Sequence, residues 1–485
     1  MLRPLPRCLS GTCRPLLTLA ALGAAFGLAA CAQLPDQQSP AQPRPLAALK
    51  TDASFGAGTA SWPAERWWTA YGDAQLDALV EQALAGSPDL TAAAARLQRA
   101  EAYTQVADSA LKPKLSAQAS ISEDKLSYHY LTPTVATPKG WNDFGRATLN
   151  FQWELDFWGR NRAGLAAATS ELEAGRAELA QARLLLAAAV ASQYAELGRL
   201  HASRDTAQRS VALRGKTAAL LQERWQNGLE TRAAVREAEA RLAMVQGSLL
   251  ALDEQLALQR NRIAALLGAG PDRGLAIAAP AQPSQQAFGL PPQLALELLG
   301  RRPDIAAARL QAEAQASRIE LKRAEFYPNV NLSAFIGVQS LGLDWLAKNG
   351  SGIGSVGPAI SLPLFSAGRL QGELRGAQAT HAEAVARYDA TVANALREVA
   401  DAAVSLQALG PQLAVAQQAV DAAAEAHRIV QQRYQGGLSN YLEVLSAEDG
   451  LLASLTAQSN LRSRSFTLDI ALQRALGGGY QTAQR

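Results

Sequence analysis

The side chains that most often carry chemistry in proteins are few and scattered in this sequence. Its four histidines lack the short spacing of metal ligands: His129, His201, His381 and His427. The sequence also lacks a glycine-rich loop of the phosphate-binding type. The three cysteines, Cys8, Cys13 and Cys31, are all close to the N-terminus. The pattern therefore argues against an enzyme and against a bound metal.

One cysteine has neighbours that indicate a specific modification. Three arginines precede an apolar stretch that ends in small residues, which is the pattern of a secretory signal. The ending LAAC at 28–31 resembles the signal of bacterial lipoproteins, in which the cysteine is acylated and becomes the first mature residue. The alternative is an ordinary cleaved signal with an incidental cysteine. We predict a signal peptide at 1–30 and an N-acyl diacylglycerol group on Cys31, with no other cofactor.

The residue after that cysteine indicates where the lipoprotein is sorted. Ala32 stands where Asp would mark retention at the inner membrane, so we expect the outer membrane, with its lipid as the anchoring partner. Several acyl chains on one residue hold a protein far more durably than a single chain. Without the three arginines of the signal, 43 basic residues balance 43 acidic ones. This balance gives no reason to expect nucleic acid as a partner.

A hairpin motif occurs twice in the chain. RWQNGLETRAAVREAEA at 224–240 and RYQGGLSNYLEVLSAED at 433–449 each read as a helix end, a glycine turn and a helix start. Their glycines, Gly228 and Gly437, are 209 residues apart. The helix-start pair Pro–Asp at 88 recurs at 303. We predict a tandem duplication of about two hundred residues rather than a short solenoid repeat.

The duplication sets the predicted domain boundaries. Each repeat should contain a helix, a strand pair and a long helical hairpin, with strand pairs at 115–157 and 329–365 and hairpin tips near 228 and 437. The predicted segments are an acylated tether at 31–66 without secondary structure, a first repeat at 67–270, a linker at 271–290, a second repeat at 291–479 and a tail at 480–485.

The strand pairs have features of membrane strands. ATLNFQWELDF at 147–157 alternates apolar and polar residues without error, although a half-buried strand of a soluble sandwich would alternate too. We expect polar loops at 125–144 and 338–353 to join the strands of each pair. Aromatic residues stand near the strand ends, as an aromatic girdle would: Tyr128, Tyr130, Trp141 and Trp345. The loops and aromatics favour the membrane.

The helices are long and have a coiled-coil pattern. From Asn161 to about Gln226 the pattern stays helical without a proline, which corresponds to a rod of roughly 100 Å. The returning helix carries apolar residues three and four apart from Val235 to Leu266, with Gln259 as the single polar member. This is the seam of a coiled coil, and the plain interpretation is helix packing.

Membrane strands that are too few to close a barrel require several chains. Open sheet edges are not tolerated in lipid, and the smallest single-chain barrels have about eight strands. Three copies would supply twelve strands and a closed ring of helices. The predicted fold is therefore mainly α, with long α-helical hairpins forming an α-barrel in a trimer and four β-strands per chain completing a 12-stranded membrane β-barrel.

Over the whole mature chain, the sequence resembles the TolC-like outer membrane factor family, in its lipoprotein branch serving resistance-nodulation-division efflux pumps. The motifs that carry the resemblance are WWTAYGDAQLDALVEQALAGSPDL, RRPDIAAARLQAEAQASRIELKRAEFYPNVNLSA, FSAGRL, LREVADA and RYQGGLSNYLEVLSAED. The resemblance implies a homotrimeric outer-membrane channel with a periplasmic extension. It would passively conduct drugs or other small toxic compounds outward from a periplasmic adaptor and an inner-membrane pump. The runner-up is a periplasmic adaptor or coiled-coil scaffold lipoprotein, although an adaptor would contain a single hairpin.

The resemblance also implies roles for residues of the two tips. The periplasmic gate would comprise Tyr434, Leu442, Glu443 and Ser446. Ser446 stands where a second carboxylate is common in the family, which implies a thin acidic ring. The alternative role for Glu443 is helix capping together with Asn440. The tip residues expected to contact the adaptor are Gly228, Leu229, Gly437 and Leu438.

Overall fold

The computed structural model describes residues 40–51, 53–55, 60–127, 129, 138–281, 289–292 and 294–482. The predicted signal peptide, Cys31 and the two loop tyrosines, Tyr128 and Tyr130, lie outside the described residues. Within the predicted tether, Leu46–Leu49 form one turn of 3₁₀ helix, so the expectation that the tether has no secondary structure is wrong at this point.

Helices and strands recur in the same order in the two halves of the chain. The first half contains α1 (Ala74–Gly86), α2 (Pro88–Ser109), β1 (Lys114–Asp124), β2 (Asn142–Glu154), α3 (Arg160–Gln226) and α4 (Arg232–Leu266). After the short α5 (Asp272–Leu275) come α6 (Leu294–Arg301), α7 (Pro303–Ala324), β3 (Asn329–Leu341), β4 (Gly352–Ser361), α8 (Arg369–Gln435) and α9 (Tyr441–Ala475). Helices α3 and α8 both have 67 residues, and α4 and α9 both have 35, which confirms the duplication.

The chain forms two compact units, and each unit combines segments of both repeats. One unit contains Arg99–Glu173 and Leu310–Ala386, and it holds the strands. The other contains Pro43–Gln98, Ala174–Arg309 and Arg387–Arg485, and it holds the hairpin tips. The two repeats are therefore interleaved and do not fold as separate bodies.

In the first unit, the described strands form one antiparallel sheet in the order β1-β2-β3-β4. The pairing of β2 with β3 joins the two repeats and places Leu149 opposite Ile336. The range predicted for the second polar loop, 338–353, is too long. In the structure β3 continues to Leu341 and β4 begins at Gly352, so the loop between them is shorter. The strand expected at 147–157 lies at 142–154 instead, since ladder pairing extends back to Asn142.

One face of this sheet is apolar and has no covering layer within the described chain. The register places Leu115, Phe151, Ala334 and Val356 in one row across the four strands. On this face, Leu115 is 65% exposed and Val356 is 77% exposed, whereas Thr148 on the opposite face is buried. The alternation predicted from the sequence is confirmed, and the apolar side faces away from the chain. Such a face requires an apolar environment outside the chain.

Exposed aromatic side chains stand at both ends of the sheet. Trp141 precedes β2 and Trp345 lies between β3 and β4, at one end. At the other end, Phe157, Trp158 and Phe365 are exposed as well. Trp141 and Trp345 were predicted at the strand ends together with Tyr128 and Tyr130, which lie outside the described residues, whereas the aromatic residues at the opposite end were not predicted. Two rows of exposed aromatic residues flanking an apolar band are typical of a membrane strand sheet.

The second unit has its main core where α1 packs against the long helices. Leu76, Leu79, Val80 and Ala83 of α1 are fully buried, because their spacing of three and four residues places them on one face of the helix. The side-chain amide of Gln259, the one polar residue of the α4 seam, donates 2.8 Å hydrogen bonds to the backbone oxygen and the Oε1 atom of Gln193. Because its amide is paired in this way, the seam accommodates it.

None of the helices in the described part of the chain is both long and apolar enough to cross a membrane.

Candidate functional site

Both hairpin tips are built from the same helix-ending and helix-starting motifs. The first tip comprises residues 224–240 and the second tip comprises residues 433–449. Gly228 and Gly437 have φ angles of 70° and 76°, in the left-handed region that favours glycine. Leu229 N–H donates to Arg224 O and Leu438 N–H donates to Arg433 O, both at 2.8 Å. This is the Schellman geometry that ends a helix, so the predicted glycine turns are confirmed.

The next helix of each tip begins with a side-chain cap. Thr231 Oγ1 accepts a hydrogen bond from Ala234 N–H at 3.2 Å, and Asn440 Oδ1 accepts one from Glu443 N–H at 3.0 Å. Such caps satisfy backbone donors that the first turn of a helix leaves free. Two short turns closed in this way hold the antiparallel helices of each hairpin together.

The two tips pack against each other in a shared apolar cluster, which we name the tip cluster. Its buried members are Leu221, Val235, Ala238, Tyr434, Tyr441, Val444 and Leu445. Residues of both repeats contribute, so the tips of one chain form a single packed body. Moving the second tip away from the first would expose this apolar surface, which is unfavourable in water.

Tyr434 is the most strongly held of the predicted gate residues. Its ring is 3% exposed, and its hydroxyl donates a 2.9 Å hydrogen bond to Glu230 Oε2 in the turn of the first tip. The guanidinium carbon of Arg224 lies 4.7 Å from the ring centroid, within the range of a cation–π interaction. Burial, and then the hydrogen bond to Glu230, raise the pKa of Tyr434 to about 12. The phenol is therefore a neutral donor at physiological pH.

The other predicted gate residues lie on the surface of the second tip. Leu442 is 63% exposed, and Glu443 and Ser446 are exposed as well. Leu229 and Leu438, which were predicted to contact an adaptor, occupy equivalent positions in the two turns and are 64% and 73% exposed. Because most of their surface is exposed, these two leucines remain available to a partner.

Glu443 takes part in the cap of its helix. Its side chain accepts a 2.6 Å hydrogen bond from Ser439 Oγ and a 3.1 Å hydrogen bond from Asn440 Nδ2. The alternative that the sequence left open, a capping role with Asn440, is therefore present in the structure. The carboxyl group nevertheless stays exposed on the surface of the tip.

Next to the tip cluster lies a network of polar and charged residues around the buried Glu448, which we name the ionic network: Arg214, Thr217, Glu237, Arg241, Glu448 and Asp449. Asp449 accepts hydrogen bonds from Arg214 at 2.5 Å and from Arg241 at 2.8 Å. Glu448 is fully buried, and its Oε2 atom accepts a 3.1 Å hydrogen bond from Thr217. These contacts join α3 and α4 of the first repeat to α9 of the second.

Sequence reasoning missed this network. In the structure, Glu230, Glu448 and Asp449 are all engaged within the chain. A sequence signal existed for Glu448, which follows Tyr441 and Val444 on the apolar stripe of α9 and so lies on the packed face. Its partner Arg214 lies on another repeat, and no local pattern could identify it.

Glu154 and Asp156 are acidic residues near the strand end where β2 passes into α3. The carboxylate of Asp156 accepts hydrogen bonds from the backbone N–H groups of Asn161 and Arg162, so it caps the start of α3. Glu154 accepts a 2.8 Å hydrogen bond from Asn329 Nδ2. Both residues thus have structural partners where the strands pass into the helices.

The described residues contain no group of three or more His, Cys, Asp and Glu side chains placed to hold a metal ion. What the tips offer is apolar packing, a tyrosine hydrogen bond and buried ion pairs. Such interactions hold helices in position and can be broken reversibly.

A family model described as outer membrane efflux protein matches the chain at residues 79–269 and 294–478. The chain belongs to this family. The two matched segments correspond to the two repeats, so the duplication is a property of the family. Membership confirms the predicted efflux function and the predicted location in the outer membrane.

Individual relatives agree with this assignment. The multidrug resistance outer membrane protein MdtP of Escherichia coli K12 is 30% identical over 473 residues, covering 96% of this chain and 97% of its own length. The fusaric acid resistance protein FusA of Burkholderia cepacia is 34% identical over 75% of this chain and 69% of its own. The crystal structure of the outer membrane protein VceC of Vibrio cholerae superposes with a TM-score of 0.82 at 47% identity, covering 87% of this chain and all of VceC.

Proposed function

We propose that this efflux protein is a homotrimeric exit duct whose periplasmic end is closed by the second tips of its three chains. The proposal depends on two features that occur together in one chain. The chain has a sheet with an exposed apolar face and a pair of helical tips locked together by burial and ion pairs.

The sheet supports the trimer. Its apolar face suits lipid, yet β1 and β4 are edges within one chain, and unpaired edges are unfavourable in lipid. Three copies joined edge to edge would form a closed barrel of twelve strands, which leaves no edge exposed. The N-acyl diacylglycerol on Cys31 would add a lipid anchor to each spanning chain.

The second tip supports the position of the gate. Leu442, Glu443 and Ser446 project from it into solvent, while Tyr434 ties it to the first tip. We assign closure of the pore to Leu442 and Tyr434, with Glu443 supplying a thin acidic ring. Opening requires the second tip to withdraw from the first, because the tip cluster holds the two together.

The partners in the proposal are a periplasmic adaptor and an inner-membrane pump of the resistance-nodulation-division type. The exposed Leu229 and Leu438 next to Gly228 and Gly437 are suited to contact the helical tips of an adaptor. The proposed cargo consists of drugs or other small toxic compounds, in keeping with the resistance named for MdtP and FusA. Passive conduction involves no catalytic step, so the proposal includes no enzyme activity.

Single-channel conductance of the purified, acylated protein in a planar bilayer tests the proposal. Wild type should give small or flickering currents, and Leu442→Ala should give larger or longer openings because it removes an apolar side chain at the constriction. Leu250→Ala is the matched control, since Leu250 on α4 is 70% exposed and lies outside the tips. No current from folded, acylated protein in any of the three would overturn the channel and favour the periplasmic adaptor or scaffold instead.

A further inference from the structure

The most unusual group in the second unit is a carboxylate buried between the two hairpins. Glu448 has no exposed surface, and it lies on the same face of α9 as the tip-cluster residues Tyr441, Val444 and Leu445. Its counterpart in the first repeat, 209 residues earlier, is Glu239, whose side chain is 46% exposed and pairs with Arg236. Burial of the carboxylate is thus a property of the second hairpin alone.

The negative charge of Glu448 is only partly compensated. Oε2 accepts a hydrogen bond from Thr217, but Oε1 is 3.7 Å from Arg214 Nε and has no hydrogen-bond partner among the described residues. Arg214 instead donates from Nη2 to Asp449, while its Nε and Nη1 atoms are buried without a hydrogen-bond partner in the same described set. The buried hydroxyl of Tyr441 has none there either. A buried carboxylate with such incomplete pairing favours its neutral form.

From these contacts we propose that Glu448 is a proton-sensitive latch between the hairpins, so that acid favours the packed, closed tips and alkali favours their separation. The proposal rests on the proposed function, because it assumes that opening withdraws the second tip from the first. Since Glu448 lies on the packed face of α9, the same movement would bring it into water.

The charged and titratable groups around the carboxylate come from all four helices. Helix α3 contributes Arg214, α4 contributes Glu237 and Arg241, α8 contributes His427, and α9 contributes Tyr441 and Asp449. Burial raises the pKa of Glu448 above its ordinary value, and Asp449 acts in the same direction. Arg214, Thr217 and His427 lower it, but the net direction is upward, and burial is the largest single cause.

The sign of the pH effect follows from linkage. The packed state binds the proton more tightly than the separated state, in which a hydrated Glu448 returns to its ordinary pKa. Protonation therefore stabilises the packed hairpins, and this stabilisation is lost as the pH rises through the raised pKa. Between the two pKa values, one such group changes the ratio of open to closed tips by at most about tenfold per pH unit in each chain.

The test is the open probability in planar bilayers from roughly pH 5 to roughly pH 8, where side chains with perturbed pKa values titrate. Wild type should open more often as the pH rises. Glu448→Gln should stay mostly closed with a flat profile, because the amide imitates the protonated acid. Thr217→Val should shift the rise in open probability to higher pH, since it removes a hydrogen bond that favours the charged form of Glu448. Glu239→Gln is the matched control and should follow wild type.

Several outcomes would overturn the latch. The latch would be overturned if the open probability of Glu448→Gln rose with pH as steeply as that of wild type. It would also be overturned if the pH profile of Thr217→Val coincided with that of wild type. A profile flattened by His427→Gln but not by Glu448→Gln would assign the titration to the histidine. A steady current independent of pH in wild type overturns the latch alone, whereas no current in any folded variant overturns the channel itself. Circular dichroism establishes folding, and the milder Thr217→Val keeps the test decisive if Glu448→Gln fails to fold.

Discussion

At the first tip, Gly228 ends α3 and Thr231 caps α4, and at the second tip Gly437 and Asn440 do the same for α8 and α9. The hydrogen bonds that close the two turns have equal lengths at Leu229 N–H and at Leu438 N–H. The backbone of the hairpin is therefore common to both repeats. It is fixed by the glycine turn and the cap, which are local interactions.

The side chains at equivalent positions differ in what they contact. The second tip exposes Leu442 and Glu443 where the first has Ala233 and Ala234. Tyr434 is buried against the first tip, whereas its counterpart Trp225 is 39% exposed. One tip thus supplies the supporting surface and the other supplies the side chains suited to close a pore. A duplicated element can keep one backbone while its copies take different tasks.

The largest difference should appear between removal of the arginine beside buried Glu448 and removal of the arginine beside its exposed counterpart Glu239. Arg214→Ala removes the cation beside buried Glu448, and at a pH at which the carboxylate is charged, breaking a buried pair in this way costs about 3–5 kcal/mol. Arg236→Ala removes the exposed partner of Glu239 and should cost less than about 1 kcal/mol. Hydrogen–deuterium exchange of the tip amides measures both effects. Protection should fall in Arg214→Ala but not in Arg236→Ala. Equal losses would show that burial of Glu448 does not distinguish the tips.

The next effect concerns the hydrogen bond that joins the tips. Tyr434→Phe keeps the ring packed but removes the donor to Glu230, and a hydrogen bond to a charged group is worth about 1.5–3 kcal/mol. We expect single-channel openings at least about tenfold more frequent, since about 1.4 kcal/mol corresponds to that factor. Trp225→Phe at the equivalent position should leave the opening frequency within about twofold of wild type, as is usual for exposed positions. Unchanged openings in Tyr434→Phe would contradict a lock at this bond.

What the sequence could predict here depends on how local the interaction is. The turns at Gly228 and Gly437, the α4 seam and the alternation of β2 all follow from residues close together in the chain, and the structure confirms them. The end of β3 at Leu341 was missed because pairing with β2, and not the polarity of the segment, decides where the strand ends.

The ionic network could not be predicted from one sequence. Arg214 and Glu448 are separated by more than two hundred residues, and each is an ordinary charged residue on its own helix. Only the packing of α3 against α9 makes their charges interact strongly. The same reason explains why no local pattern identified Glu230 as the acceptor of the Tyr434 hydrogen bond.

Substitution of the two turn glycines should destabilise the hairpins less than the changes above, and by the same amount at both turns. Gly228→Ala and Gly437→Ala should each destabilise their hairpin by about 1 kcal/mol, because both residues have positive φ angles and an L-residue there is strained. No atom of the described chain lies within 4 Å of a Cβ added at either position, so strain is the single cause within the chain. Thermal unfolding followed by circular dichroism should give the same shift for both. A much larger shift for Gly437→Ala would mean that another chain contacts the second turn.

The smallest change in stability, with a clear change in function, is expected for Glu443→Gln. The amide keeps an oxygen that can accept from Ser439 and Asn440, so the cap of α9 should survive within about 0.5 kcal/mol. The exposed negative charge is lost, and the preference of the pore for cations should fall, as measured by the reversal potential in a salt gradient. Ala234→Glu, which adds a carboxylate at the equivalent position of the first tip, should raise that preference. If neither variant alters the reversal potential, the role of Glu443 is confined to capping, and closure of the pore belongs to Leu442 and Tyr434 alone.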